Sequence, residues 1–296
     1  MPSIRVLKTF LAVVRKGTFA AAGAEVGLTA PAVGLQIRSL EEELGQSLFD
    51  RAGRNVVLNT RGRATISHIE DLVQRYEALA AGDSDELAGA VVVGALVSAL
   101  MGAFADALWA LKRDHPRLEV RLLAGLSSDF ASKVQAGEVD AAIVTQPPRA
   151  LPGSMKWTSL YSEPMIFIVP KRPHFKLAQT PKEILATSPF LRFDRTLWTG
   201  YLVEQVLSRT RVSVEDSLEL NSVEAIVALV RQGFGVSIVP KLDNVDWERD
   251  DKLRVVPIPG NRVQRHVGLL ERRVHSRARF TDAIKQHFGD RSPIRL

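Results

Sequence analysis

The chain has 296 residues with 39 Lys and Arg against 33 Asp and Glu, a formal net charge of +6, and it is 46% hydrophobic and 24% charged. That composition excludes disordered, collagen-like and low-complexity chains, and the length suggests about two domains. With no cysteine, a disulfide framework, a thiolate zinc site and a cysteine nucleophile are excluded, and a reducing cytoplasm is the expected setting.

Arg5 and Lys8 stand where the apolar core of an export signal would begin, so none is expected. The first helix is predicted over Ile4 to Arg15, with Leu7, Phe10, Leu11 and Val14 facing inward and Gly17 ending it. Thr18 caps a second helix, Phe19 to Val26, and Gly27 makes a turn. Thr29 caps a third, with Pro31 in its first turn and Val33, Ile37 and Leu40 turned inward. Two short helices joined by a tight turn follow the helix-turn-helix plan, in which the second lies in the DNA major groove. Gly53 to Leu58 reads as a hairpin wing with Arg54 at its tip. Through Arg63 the chain holds nine Lys and Arg against five Asp and Glu, four of the six net positive charges.

After Asn59 one long helix is expected, with Ile66, Ile69, Val73, Tyr76 and Leu79 at spacings of three and four and a break at Gly82. A lone helix with one apolar stripe suggests a dimer seam; packing on its own chain is the alternative. Leu87 to Ala105 is uncharged over 19 residues, but Val91 to Val93 reads as a buried strand and Ser98 as the start of a helix, so no membrane span is expected.

From Ala90 strands and helices alternate, which argues for mostly parallel sheets covered by helices. The strand candidates are Ala90 to Leu96, Leu118 to Leu123, Ala141 to Thr145, Met165 to Pro170, Phe190 to Phe193, Val236 to Pro240 and Val267 to Leu270. Pro147-Pro148 and Gly260-Asn261 offer places for the chain to cross between two lobes.

The N-terminal residues closely resemble the LysR-type transcriptional regulators. The match rests on Leu7, Phe10, Val13, Gly17-Thr18-Phe19, Ala21-Ala22, Leu28-Thr29, Pro31-Ala32-Val33, Gln36-Ile37, Leu40 through Gly45, Leu48-Phe49, Arg51, Leu58 and Gly62. It continues more weakly through Gly125 to Ser128, Gly137 to Asp140 and Leu229 to Val236, ending at Pro240. The resemblance implies a winged helix-turn-helix over residues 1–58, a linker and dimerisation helix over 59–89, and an α/β effector domain over 90–296. The last would have two periplasmic-binding-protein-like lobes, at about 90–161 with 267–296 and at about 162–266. It further implies a dimer or tetramer on double-stranded promoter DNA, a small-molecule effector between the lobes, and RNA polymerase as a further partner.

By carry-over, the DNA-contacting residues are Thr29, Ala30, Pro31, Gly34, Leu35, Gln36 and Arg38, with Arg51 and Arg54 nearer the backbone or minor groove. Gln36 is able to make a bidentate amide contact to adenine, or else a phosphate contact. Ala30, Gly34 and Leu35 depart from the polar residues usual in the family, which shifts reading toward methyl groups and shape. The effector-binding candidates are Ser98, Ser127, Ser128 and Ser222 at helix starts and Arg192, Phe193 and Arg195 after a strand of the second lobe. Serines with an arginine favour an anionic or polar effector, although Arg192 and Arg195 have the alternative of pairing with Asp194.

The six histidines form no metal-ligand pair, so neither metal nor cofactor is expected. Gly233-Phe234-Gly235 starts like a dinucleotide loop, but Ile238 stands where its third glycine belongs. No nucleophile motif is present either, so an enzyme is not expected. A transport-type solute-binding protein and a metabolic α/β enzyme without a DNA role are the alternatives.

Overall fold

The computed structural model describes residues 2–52, 55–81, 87–243, 245–258 and 260–290. The chain divides into two compact units, Met1–Asp85 and Glu86–Leu296.

In the first unit, α1 (Ile4–Lys16), α2 (Phe19–Val26) and α3 (Ala30–Leu44) precede the strands β1 (Phe49–Ala52) and β2 (Asn55–Leu58) and the long helix α4 (Thr60–Ala81). The caps follow the sequence. Thr18 Oγ1 accepts from Ala21 N at 3.2 Å and Thr29 Oγ1 from Ala32 N at 3.4 Å, while Gly17, Gly27 and Gly45 end their helices in the left-handed conformation. Leu7, Phe10, Val33, Ile37, Leu40 and Leu48 form one buried core. Phe49 pairs with Leu58 across the antiparallel wing. Asn59 caps α4, its Oδ1 accepting from Gly62 N at 2.8 Å. At Gly62 the helix passes so near the wing entrance that an added Cβ would lie 2.0 Å from Leu48 O.

The apolar seam of α4 does not stay free. Ile69 and Val73 are buried in the unit's own core and Ile66 packs against it, because α1 supplies the covering face. Among the described residues, Leu72 and Tyr76 are the large apolar side chains of α4 left exposed. The side chain of Leu79, and Gly82, lie outside the described residues.

The second unit runs β3 (Gly89–Ala95), α5 (Val97–Leu100), α6 (Ala103–Asp114), β4 (Leu118–Ala124), α7 (Ser127–Ala136), β5 (Ala141–Thr145) and β6 (Met155–Pro170). It continues through α8 (Pro181–Thr187), β7 (Pro189–Phe193), α9 (Trp198–Thr210), β8 (Glu215–Leu220), α10 (Val223–Arg231), β9 (Ser237–Pro240), β10 (Leu253–Val256), β11 (Gln264–Arg272) and α11 (Ala278–Asp290). The stretch expected as one helix from Ser98 breaks at Met101-Gly102 into α5 and α6. Among the described residues no helix is long and apolar enough to cross a membrane.

Two lobes are joined by two long strands. Met155 to Pro164 of β6 pairs with β11, whereas Met165 to Pro170 pairs with β9 and β10. The cores separate accordingly: Val91, Val93, Phe104, Ile143 and Leu269 belong to one lobe, and Phe167, Ile184, Phe190, Val203, Ile226 and Ile238 to the other. The chain therefore enters the second lobe within β6, not at Pro147-Pro148, which lies in the loop between β5 and β6. The return is near the expected Gly260-Asn261, where Asn261 Nδ2 donates to Met165 O at 2.7 Å. The expectation of mostly parallel sheets needs correction. The β3–β4, β3–β5 and β7–β8 pairs are parallel, but β6 and β11 run outward and back side by side, and all pairings of β6 and β11 are antiparallel.

Candidate DNA-binding surface and ligand cleft

On α3, positions 31, 35 and 38 share one side of a 3.6-residue helix, and Pro31, Leu35 and Arg38 are all exposed, as is the cap Thr29. Leu35 is 66% exposed, whereas Val33, Ile37 and Leu40 of the same helix are buried. Ala30, Gly34 and Gln36 are half-buried. An added Cβ at Gly34 would meet the Phe19 ring at 3.6 Å, so this position abuts α2. Gln36 turns its Oε1 inward, where it is buried without a hydrogen-bond partner. Arg51 lies on β1 with its side chain outside the described residues, and Arg54 lies outside them altogether.

In the second unit a cavity of about 200 Å³ opens between the lobes. Ser98, Ser127 and Ser128 line it from the first lobe and Phe193 and Ser222 from the second. Each sits where its chain segment changes element. Ser98 is the second residue of α5 and Ser127 the first of α7, both just beyond parallel strands, and Ser222 caps α10, accepting from Ala225 N at 3.2 Å. Ser127 Oγ accepts from Thr145 N at 3.2 Å, which leaves its hydroxyl hydrogen for a partner in the cleft. Across the lobes, Thr145 Oγ1 and Thr199 Oγ1 stand 3.4 Å apart. Leu96, Leu126, Trp198 and Val223 make the remaining wall largely apolar, the usual mix of a small-molecule site.

Arg192 and Arg195 do not join this cavity. Successive strand residues face opposite ways, so Phe193 enters the cleft while Arg192 turns to the far side, over the Phe190 ring at 5.2 Å. There Arg192 Nε donates to Asp216 Oδ1 at 2.5 Å and Nη1 to Glu204. Arg195 pairs with the same two acids, so neither arginine's main partner is Asp194.

The cationic group at the cleft is instead Arg265 of β11, which is 1% exposed. Its Nε donates to Glu163 Oε2 at 2.7 Å and its Nη1 to Ser98 Oγ at 3.2 Å. Burial raises the Glu163 carboxyl above the ordinary carboxylate range, and the neighbouring guanidinium opposes that rise. Arg265 stands between Gln264 and His266, so its sequence context carries no local sign of burial. Glu224, Thr199 and Asn221 also line the cavity, and nothing in their sequence context distinguishes them from ordinary helix-start residues. Among the described residues no group of three or more His, Cys, Asp and Glu could hold a metal ion.

A helix-turn-helix unit followed by a two-lobed α/β unit with a polar cleft defines a ligand-responsive DNA-binding regulator. Residues 4–63 match the bacterial regulatory helix-turn-helix family, lysR type, and residues 84–292 match the LysR substrate binding domain. The chain belongs to the LysR family of transcriptional regulators. It is 27% identical over 294 residues to a probable RuBisCO transcriptional regulator of Nostoc sp., covering 97% of this chain and 86% of the relative. It is 28% identical over 245 residues to the HTH-type transcriptional regulator IlvR of Caulobacter vibrioides, covering 80% and 82%. The fold is similar to that of a full-length OxyR variant from Pseudomonas aeruginosa, with a TM-score of 0.70, 20% identity, and coverage of 97% of this chain and 94% of that one. Full-length CbnR in complex with its target DNA gives a TM-score of 0.56 at 20% identity, with coverage of 97% and 99%.

Proposed function

We propose that this regulator acts in the cytoplasm as a dimer or tetramer on promoter DNA, and that a small molecule held between the lobes sets its effect on RNA polymerase. Thr29, Ala30, Pro31, Gly34, Leu35, Gln36 and Arg38 form the groove surface, with Arg51 and Arg54 nearer the backbone or minor groove. Leu35 and Pro31 suit contact with thymine methyl groups, while Arg38 suits a phosphate. The exposed pair Leu72 and Tyr76 on α4 supports self-association. In the second unit Ser98, Ser127, Ser128, Phe193, Ser222 and Arg265 hold the effector. The observation that carries this reading is the buried Arg265, hydrogen-bonded to Ser98 at the wall of a cavity between two lobes, in a chain whose other unit is a winged helix-turn-helix.

The test is retention of the DNA upstream of the protein's own gene, followed by electrophoretic mobility and footprinting at low ionic strength. Retention that random DNA competes poorly is expected. Indifference to all duplex DNA overturns the proposal.

A further inference from the structure

The charges around the cleft are of two kinds, and they lie on different elements. Three helices of nine or more residues begin at the cavity: α7, α9 and α10. Those of α7 and α9 start after Leu126 and Leu197, whose side chains cannot accept a hydrogen bond, so their first-turn N–H groups have no side-chain cap. Beside them is Arg265, buried, paired with Glu163 through Nε and Nη2 and donating from Nη1 to Ser98 Oγ. This side of the cavity offers donors and partial positive charge, which suit a carboxylate.

The start of α10 is built the opposite way. Ser222 already caps it, and the Ser222 hydroxyl donates to Glu224 Oε2 at 2.7 Å. The second oxygen, Oε1, is buried and has no hydrogen-bond partner. Glu224 lines the cavity, so its carboxylate, with one oxygen lacking a partner, is the acidic group that faces a cation bound there. A favourable helix dipole explains an acid in the first turn, but not an unpartnered, desolvated oxygen beside a cavity.

We infer that the effector is a small zwitterion of the α-amino-acid type. Its carboxylate lies on the donors of Arg265, Ser98 and the α7 start, and its ammonium lies on Glu224. The inference rests on the regulator reading above and narrows its ligand. A carboxylate with no ammonium leaves the Glu224 oxygen unpartnered and adds a like charge to the site. The cavity of about 200 Å³ suits a small ligand, and Phe193, Trp198 and Val223 in its wall favour an aliphatic side chain.

The experiment uses the whole protein and its tryptophan fluorescence, since Trp198 lines the cavity. Three matched series are titrated: L-alanine, L-valine and L-leucine; the corresponding carboxylates without the amino group; and the corresponding amines without the carboxylate. At least one amino acid is expected to shift the fluorescence and raise the melting temperature, with its matched acid and amine at least tenfold weaker. Glu224→Gln is expected to weaken the amino acid at least tenfold and the matched carboxylate not at all, with unliganded melting reporting that the variant is folded. Equal binding of acid and amino acid, or an amino-acid affinity unchanged in Glu224→Gln, overturns the inference and leaves the regulator reading standing. Silence of all three series also overturns it. DNA retention, which needs none of these probes, decides the regulator reading separately.

Discussion

Arg265 stands directly opposite Glu163 in the β6–β11 ladder, with Nε 2.7 Å from Oε2 and both side chains buried. The pair thus occupies the two strands that join the lobes while its guanidinium reaches the cleft. Arg265→Met strands a buried carboxylate and is expected to destabilise the second unit by about 3–5 kcal/mol. The double variant R265M/E163L removes both charges and is expected to recover most of that stability without recovering the response of DNA binding to ligand. Thermal denaturation and an effector-dependent mobility assay separate the two effects.

Glu271 supplies the acid-sensitive contact of the first lobe. Burial opposes its ionisation, but hydrogen bonds from His275, Thr281 and Lys285 outweigh it and lower the carboxyl from 4.5 to about 2. Because the folded value is the lower one, the stabilisation is complete above the unfolded value and is lost as pH falls from about 4.5 toward 2. The difference corresponds to about 3 kcal/mol. Urea denaturation of the whole protein followed by tryptophan fluorescence reports this unit alone, since Trp109, Trp157, Trp198 and Trp247 all lie in it. Glu271→Gln is expected to lower stability at neutral pH and flatten its fall over that range.

Gly62 tests the independence of the first unit. With Leu48 O only 2.0 Å from an added Cβ, Gly62→Ala forces α4 away from the wing and is expected to cost about 3 kcal/mol or more. Loss of helical circular dichroism at lower temperature is expected, with DNA binding weakened and the tryptophan transition unmoved.

The exposed face of α3 divides its labour between Leu35 and Arg38. Arg38→Ala is expected to weaken specific and random DNA alike and to reduce the slope of log affinity against log salt by about one. Leu35→Ala is expected to lose affinity for the specific site by about 1 kcal/mol, leaving random DNA and the salt slope unchanged. Fluorescence anisotropy over a salt series measures both.

For self-association, Leu72 and Tyr76 are the residues to change. Replacing both with lysine on the exposed face of α4 is expected to shift sedimentation toward the monomer while the melting of the first unit stays within about 1 kcal/mol. Unchanged sedimentation removes this face from the interface.

The first unit was legible almost to the residue, because its elements are bounded by local signals: Thr18 and Thr29 cap, Gly17 and Gly27 stop, and Asn59 restarts. The sheets were less so. Met155 to Pro164 mixes Lys, Trp, Thr, Ser and Glu and shows no apolar run, since it is half-exposed along much of its length. Glu215–Leu220 is exposed at nearly every position, so it carries no burial pattern to read. Of the cleft residues, the serines were visible as helix starts. Strand alternation turns Arg192 away from the cleft, and Arg195, in the turn after β7, is held by Glu204 and Asp216, acids distant in sequence. Arg265 and Glu224 reach the cavity through long-range pairing of β11 with β6 and the placement of α10, and neither is encoded locally.

The 16-residue strand β6 is shared property of both sheets. Each lobe has a core of its own, yet once this strand detaches β11 keeps only β5 on one side, and β9 and β10 lose the strand they pair with. Neither half is therefore a self-sufficient folding module. Melting of the bilobal body should be a single all-or-none event, and fragments severed near Pro164 should fail to fold apart yet reassemble when mixed.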